Sequence, residues 1–152
     1  IDRDKAALQL LRMYGKSLHQ EFDPEKFIED EASDISLPPG SFDGIISSAV
    51  LHFAESHNHF QQMFAEIVRL LRPGGILFVR TAMLDGIEEK AIPLETPGRY
   101  TLADETERYL LSSLELERLC KTHQLILLEP LKYVVVHEAR SMGSFVLQKK
   151  EQ

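Results

Sequence analysis

Apolar residues recur at helical spacing in three segments of the chain. Residues 4–15, 58–71 and 112–122 each carry an apolar stripe with polar residues on the opposite face, which predicts three amphipathic helices. Asp4 is placed to cap the first helix, because its side chain can accept hydrogen bonds from the free N–H groups of the first turn. Ser112 opens the third helix with the spacing of a capping box.

Short apolar runs between these helices predict strands. Residues 42–51 and 75–80 are almost free of charge, which is typical of strands covered on both faces. Further strands are predicted over 125–128, 132–137 and 144–149. The order strand, helix, strand, helix and then paired strands predicts an α/β fold with a mostly parallel sheet. The last strands are joined by a short link, so we expect an antiparallel hairpin at the end.

Residues 83–111 form a long connection between the second strand and the third helix. Their pattern predicts an irregular or partly helical excursion. So long a connection inside a compact domain usually has a function, such as that of a lid. Tyr100, Arg108 and Tyr109 are the side chains in it that could cover a bound molecule.

Composition and charge exclude several classes of protein. The 152 residues, 43% hydrophobic and 27% charged, are enough for one domain, which we take to span 1–152. The net charge of −7 and two terminal lysines do not make a nucleic-acid footprint. No apolar run approaches the roughly 20 residues of a membrane span, and a single cysteine excludes an internal disulfide. A cytoplasmic protein fits these features best.

Several short segments together resemble a known family. The segments are SFDGII at 41–46, VLH at 50–52, RLLRPGG at 69–75 and ILFV at 76–79. In this order and at this spacing they resemble the class I S-adenosylmethionine-dependent methyltransferases, in particular the small-molecule branch. The expected antiparallel ending fits, because the sheet of that family finishes with a reversed strand. The resemblance implies a Rossmann-like methyltransferase fold.

The resemblance also implies S-adenosylmethionine as the cofactor and a set of residues that hold it. Asp2 corresponds to the acid at the end of the family's second strand, whose carboxylate binds the ribose hydroxyls. Glu31 and Ala32 fall where the family carries an acid and a small residue beside the adenine, although Asp30 could replace Glu31. The residues expected to face the methionine portion and the methyl acceptor are Ser47, Ser48 and His52.

The chain departs from the family at its beginning. The glycine-rich loop of the family should precede the ribose-binding acid by about 20 positions, yet that acid is the second residue here. The loop, the first strand and most of the second strand are therefore expected to be lacking. Their loss would leave buried backbone N–H and C=O groups unpaired, and each such group lowers the stability of the fold by about 1–3 kcal/mol. We therefore interpret the chain as an N-terminally truncated fragment, a partial methyltransferase domain.

The function implied is methyl transfer to a small-molecule acceptor by direct in-line displacement, with His52 as a candidate general base. A first alternative is a non-catalytic remnant that binds a partner chain and has no cofactor affinity. A second is a nicotinamide-dependent oxidoreductase, because an acid after a strand also binds ribose there. The reversed final strand argues against the second alternative.

Simpler interpretations exist for most of the candidate residues. Asp2 could belong to a charged terminus, and Glu31 lies in an acidic stretch, 29–34, that could be a solvated loop. The three histidines between 52 and 59 suggest a metal, but nothing in their spacing supplies a convergent ligand set, so we expect no metal site. His137 and Arg140 flank the final turn and could contact an acidic acceptor, although an exposed turn is the preferred interpretation.

Overall fold

The computed structural model describes residues 1–18 and 23–151, which form a five-stranded sheet, a smaller three-stranded sheet and three α-helices. The elements are α1 (Lys5–Ser17), β1 (Phe42–Ser48), α2 (His57–Leu70), β2 (Leu71–Ala82), β3 (Ile92–Pro93), β4 (Arg99–Thr101), β5 (Glu107–Tyr109), α3 (Ser113–Thr122), β6 (Leu125–Leu127), β7 (Lys132–Val136) and β8 (Arg140–Lys149). None of the helices in this part of the chain is long and apolar enough to cross a membrane.

The main sheet has the order β1-β2-β8-β6, and β7 pairs with the other end of β8. Strands β1 and β2 are parallel, with Ile46 opposite Phe78, whereas every pair that includes β8 is antiparallel. The α/β class and the antiparallel final hairpin are thus confirmed. Within the described residues, parallel pairing is confined to β1 with β2 and to two isolated bridges, Asp2 with Glu29 and Met83 with Leu111, so the sheet is mixed rather than mostly parallel.

Strands β6 and β7 lie along the same edge of β8 and are separated at Pro130. Proline has no N–H to donate, so it is tolerated at an edge where the ladder can break. The turn into β8 is tighter than the sequence suggests, because Val136 already pairs with Arg140. His137 and Glu138 make this turn with positive φ angles of 50° and 53°.

The core lies between one face of the main sheet and the helices α2 and α3. Phe60 and Phe64 of α2 are fully buried there, as are Leu77 of β2 and Leu147 of β8. The caps of the helices agree with the sequence. Asp4 accepts hydrogen bonds from the N–H groups of Ala6 and Ala7, at 2.8 and 3.2 Å, and Ser112 caps α3.

Strand β1 differs from its prediction as a strand covered on both faces. It occupies an edge of the sheet, and Ile46 is 78% exposed. Alternate residues point to opposite faces of a strand, so Ile45 and the buried Ser47 face α2, while Ile46 and its partner Phe78 face away from the core. A strand without charged residues is buried on both faces only when other elements pack on both of them. Here nothing in the described residues packs over Ile46 on the outer face of β1, so that face is exposed to solvent.

Residues 83–111 are also more regular than predicted. Strands β3, β4 and β5 form a small antiparallel sheet within 92–109, and turns and bends make up most of the remaining segment, so 83–111 is largely irregular but contains short strands and no helix. A second apolar cluster holds this small sheet against the end of β2, through Ala82, Ile87, Ala91, Leu102 and Leu110. A role as a lid stays a prediction.

A hydrogen-bonded cluster joins the small sheet to the helices. The buried Tyr109 of β5 donates its hydroxyl to the carboxylate of Glu115 at 2.9 Å. The same hydroxyl lies 2.9 Å from Nδ1 of His57, at the start of α2. The ring of Tyr109 stacks on Phe60 with centroids 4.3 Å apart. One side chain therefore ties β5 to both α2 and α3.

Candidate functional site

A cleft of about 500 Å³ lies between the first residues of the chain and the exposed edge of β1. Its walls are formed by residues 1–4, by 30–35, by β1 with the turn after it, and by the inner face of α2. The size falls within the range of small-molecule binding sites. The cleft reaches the carboxyl end of β1, which is where ligands bind in open α/β sheets.

Four of the six predicted site residues line this one cleft. They are Asp2, Glu31, Ala32 and Ser47. Ser48 lies next to Ser47 on the outer face of β1, where it pairs with Arg80 of β2. His52 is buried in the turn after β1, behind the wall of the cleft rather than in it. The structure thus brings the acids of the first 31 residues together with the end of β1.

Asp2 is held at the cleft by backbone contacts. Its N–H donates to the carbonyl of Ile28 at 3.1 Å, and the residue forms a parallel bridge with Glu29. Its Oδ1 accepts the N–H of Asp4 at 2.9 Å. The carboxylate of Asp2 is therefore fixed in direction, with its chain segment aligned along residues 28–29.

The neighbouring acids Asp30 and Glu31 differ in what they contact. Oδ2 of Asp30 accepts hydrogen bonds from the N–H and the hydroxyl of Ser36, at 2.9 and 2.7 Å. These bonds lower the pKa of Asp30. The carboxylate of Glu31 lies 3.8 Å from the guanidinium of Arg3, and the side chains of both are more than half exposed. Asp30 is thus committed to its own loop, which favours Glu31 as the acid that meets a ligand.

Helix α2 anchors the segment after Glu31 and Ala32. Arg69 donates to the carbonyl oxygens of Ile35 and Leu37, both at 2.8 Å, and to the carboxylate of Glu66. Glu66 in turn accepts the N–H of Ile35 at 3.1 Å. These bonds lower the pKa of Glu66 and raise that of Arg69. The first arginine of the RLLRPGG segment therefore holds the loop that carries two site residues.

Ser47 has an unusual environment for a polar side chain. It is buried, and its hydroxyl oxygen has no hydrogen-bond partner among residues 1–18 and 23–151. Buried hydroxyls are normally paired, and leaving one unpaired costs free energy. Since Ser47 lines the cleft, a ligand with a polar group at that point would complete its hydrogen bonding.

His52 has little basicity in this structure. Its Nδ1 accepts the N–H of Ala82 at 3.3 Å, so the proton of the neutral ring is on Nε2. Burial lowers the pKa of His52 to about 4, and the positive charges of Arg108, Arg80 and Arg140 act in the same direction. The ring is therefore neutral near pH 7, and Nε2–H is its available donor.

His59 and Phe53 are among the cleft residues that the sequence did not identify. His59, interpreted as a polar residue at a helix entry, lines the cleft from the first turn of α2. Its Nδ1 accepts the N–H of Glu55 at 3.2 Å. Phe53 lines the cleft too and is 48% exposed. An aromatic residue directly after the buried His52 was the signal that could have found it.

The described part of the chain holds no group of three or more histidine, cysteine or carboxylate side chains placed to bind a metal ion. One histidine–carboxylate pair, His57 and Glu115, has side chains 3.3 Å apart. This pair already bonds with Tyr109.

Comparison with known proteins agrees with the geometry. A family model described as a methyltransferase domain matches residues 1–79. A solved structure of a SAM-dependent methyltransferase from Methanosarcina mazei has a TM-score of 0.78 at 18% identity, covering 99% of this chain and 81% of that one. A SAM-dependent methyltransferase from Clostridium acetobutylicum has a TM-score of 0.69 at 10% identity, with 97% and 72% covered.

A third solved structure was determined with ligands. It is the 1,6-didemethyltoxoflavin-N1-methyltransferase of Burkholderia thailandensis with 1,6-didemethyltoxoflavin and S-adenosylhomocysteine, similar at a TM-score of 0.60 and 18% identity. The similarity covers 82% of this chain and 51% of that enzyme. No curated protein sequence matches the chain. Because the family model spans more than half of its residues, the chain belongs to the methyltransferase domain family, and the resemblance to class I S-adenosylmethionine-dependent methyltransferases is confirmed.

Proposed function

We propose that this protein transfers a methyl group from S-adenosylmethionine to a small-molecule acceptor by direct in-line displacement. The observation that carries the proposal is the single cleft that Asp2, Glu31 and Ser47 line together. These residues lie far apart in the sequence, and no common structural role requires them to meet. The family is S-adenosylmethionine-dependent, which supplies the cofactor assignment.

The residues at the cleft fit a nucleoside with an attached amino acid. The Asp2 carboxylate is suited to accept from both ribose hydroxyls, as a charged acceptor with two oxygens. Glu31 and the backbone N–H of Ala32 are suited to the donor and acceptor edge of adenine. Ser47, with its unpaired hydroxyl, and Ser48 lie at the carboxyl end of β1 and are assigned to the methionine portion.

When bound, S-adenosylmethionine supplies a methyl group on a positively charged sulfur, which makes the methyl carbon electrophilic. The acceptor atom forms its bond to that carbon as the carbon–sulfur bond breaks and its electron pair goes to sulfur. The work of the protein is mainly alignment, since orienting two reactants can contribute roughly 7–11 kcal/mol to lowering a barrier. We do not assign His52 as the general base expected from the sequence, because it lies behind the wall of the cleft and its lowered pKa leaves the ring neutral.

A small-molecule acceptor is supported by two features. The acceptor end of the cleft carries the exposed apolar side chains Val50 and Phe53, and small-molecule sites are predominantly apolar with a few polar groups. The similar Burkholderia enzyme acts, by its name, on 1,6-didemethyltoxoflavin. A cytoplasmic location stays a prediction from composition.

Calorimetric titration with S-adenosylhomocysteine, using the complete protein as its gene encodes it, tests the proposal. We expect saturable binding, and Asp2→Asn should weaken it by about 10–100-fold, the worth of a hydrogen bond to a charged group. The asparagine keeps an oxygen for the N–H of Asp4, so the local fold is preserved. Glu117→Gln, an exposed change on α3, is the charge-matched control.

Absence of binding at millimolar ligand would overturn the assignment and favour the non-catalytic, partner-binding alternative. An affinity for nicotinamide dinucleotides above that for S-adenosylhomocysteine would favour the oxidoreductase alternative, against which the antiparallel β8 already argues.

A further inference from the structure

The positive charges of three arginines act on His52, although the protein as a whole is acidic. Arg80, Arg108 and Arg140 come from β2, β5 and β8, and the charges of all three act on the buried imidazole. The chain carries 24 acidic and 17 basic side chains. A local excess of positive charge therefore needs an explanation, because like charges that share a site repel one another.

Two of these arginines lie next to residues that line the cleft or end β1. The guanidinium of Arg108 lies 5.0 Å from the ring centroid of Phe53, which lines the cleft. The Phe53 ring is 4.6 Å from the ring of His52. Arg80 pairs with Ser48 at the carboxyl end of β1 and with Ser144 of β8. Both cations thus belong to the end of the sheet at which the acceptor is expected.

The three arginines differ in what neutralises them. Arg140 forms an ion pair with Asp104. Arg108 donates to the carbonyl oxygen of Glu107 at 2.6 Å but has no carboxylate partner in the described ranges. Arg80 likewise has no ion pair with any residue of 1–18 or 23–151, and it is exposed. Arg80 and Arg108 are therefore two cations without a carboxylate partner in the described residues, one beside Ser48 at the end of β1 and one beside Phe53 in the turn that follows.

We propose that Arg80 and Arg108 bind a carboxylate of the methyl acceptor, so that the acceptor is a small organic acid whose apolar part rests against Phe53. This proposal rests on the proposed function and specifies its substrate class. A guanidinium presents paired N–H donors in a plane, which matches a planar carboxylate. The exposed ring of Phe53 provides the apolar surface, and the buried ring of His52 supports it from behind at 4.6 Å.

Binding of simple probes by the complete protein tests this site. The probes are benzoate, the neutral benzyl alcohol, and inorganic phosphate, each titrated with and without saturating S-adenosylhomocysteine. We expect benzoate to bind at least about tenfold more tightly than benzyl alcohol, and Arg80→Gln or Arg108→Gln to remove about tenfold or more of that affinity. Arg118→Gln, the same change of charge at an exposed position of α3, should leave benzoate binding unchanged.

The outcomes separate this proposal from the proposed function. Titrations without S-adenosylhomocysteine test the arginines even if the protein binds no cofactor. A tenfold loss of S-adenosylhomocysteine affinity in Arg80→Gln or Arg108→Gln would overturn the proposal, since the arginines would then serve the carboxylate of the cofactor. Equal binding of benzoate and benzyl alcohol, tighter binding of phosphate than benzoate, or an equal effect of Arg118→Gln would overturn it as well.

A second measurement does not depend on ligand affinity. Removing either cation should raise the pKa of His52, followed by NMR of its ring protons, because repulsion of the imidazolium decreases. Bound benzoate should raise it too, since its negative charge offsets the arginines. An unchanged His52 titration in both variants and in the benzoate complex would show that the three side chains do not share a site.

Discussion

Replacing Tyr109 by phenylalanine removes one hydroxyl from the cluster that joins the small sheet to α2 and α3. The ring stays in place, because it stacks on Phe60 and packs closely against Gly98, where an added Cβ would clash with the ring. The lost interactions are the bond from the hydroxyl to the Glu115 carboxylate at 2.9 Å and the contact of the hydroxyl with Nδ1 of His57, also at 2.9 Å. The variant therefore removes the polar contacts of one hydroxyl and leaves the packing of the ring.

The expected cost can be worked from these contacts. A hydrogen bond to a charged group contributes about 1.5–3 kcal/mol. Glu115 keeps its bond from Nε2 of Gln61 at 3.1 Å and its contact with His57 at 3.3 Å, so the carboxylate is not left unpaired. We therefore expect a loss of about 2 kcal/mol in the free energy of unfolding. For a protein of this length, that lowers the melting temperature by about 4–8 °C.

Urea denaturation of both proteins measures this change, with Tyr133→Phe as the control. Tyr133 is 47% exposed, so its variant should remain within about 0.5 kcal/mol of the parent. Hydrogen exchange shows which part of the protein is destabilised. Amides of β3, β4 and β5 should exchange faster in Tyr109→Phe, while those of β1 and β2 should change less, because the hydroxyl ties the small sheet to the helices.

The pH dependence provides a second check on the same hydroxyl. Burial, and then the negative charge of Glu115, raise the pKa of Tyr109 above its usual value. An unfolded tyrosine ionises near pH 10, so above about pH 10 the unfolded chain releases a proton that the folded protein retains. Stability should decline there, and less so in Tyr109→Phe. A loss under about 0.5 kcal/mol together with an unchanged alkaline profile would refute the reasoning.

Two further predictions concern the site. Arg69→Gln should weaken S-adenosylhomocysteine binding several-fold, because it frees the loop after Glu31. The control is Arg72→Gln, which removes a surface ion pair with Asp43 and should leave binding unchanged. Equal affinities of the two variants in calorimetry would contradict the anchoring role of Arg69. NMR should show His52 titrating near pH 4. An unfolded histidine titrates near pH 6.5, so between these values the unfolded chain binds a proton that the folded protein does not. The free energy of unfolding should therefore decrease as the pH drops from about 6.5 towards 4. Burial, and then the charges of Arg108, Arg80 and Arg140, lower the pKa of His52. Titration of His52 near pH 6.5 would contradict this prediction. So would a His52→Gln variant whose stability falls with decreasing pH as much as that of the parent protein.

The helices were predictable because their signals are local. The stripe of α2 and the caps at Asp4 and Ser112 are properties of a window of about ten residues, and the structure confirms all three. The first helix continues two residues past Gly15, to Ser17. A glycine permits a helix to end but does not require it, so the last helical residue is decided by the contacts of the neighbouring chain.

The family was also readable from the sequence, since its segments occur in a fixed order along the chain. The family model that confirms it covers residues 1–79, which contain these segments. The site was readable only in part. Ser47 was predictable from its place at the end of a strand, but nothing local identifies the role of Arg69, whose partners Ile35 and Leu37 lie more than thirty residues earlier.

The sequence by itself determined the periodicity of the elements, their order and the chemistry available at their ends. Tertiary structure alone decided that β1 is an exposed edge, that β3, β4 and β5 pair as a small sheet, and that Arg108 lies over Phe53 beside His52. The physical reason is the range of the forces involved. Periodicity reflects which neighbours share a helix or strand face, whereas burial and charge convergence depend on contacts between segments whose pairing is settled only by the packing of the whole chain.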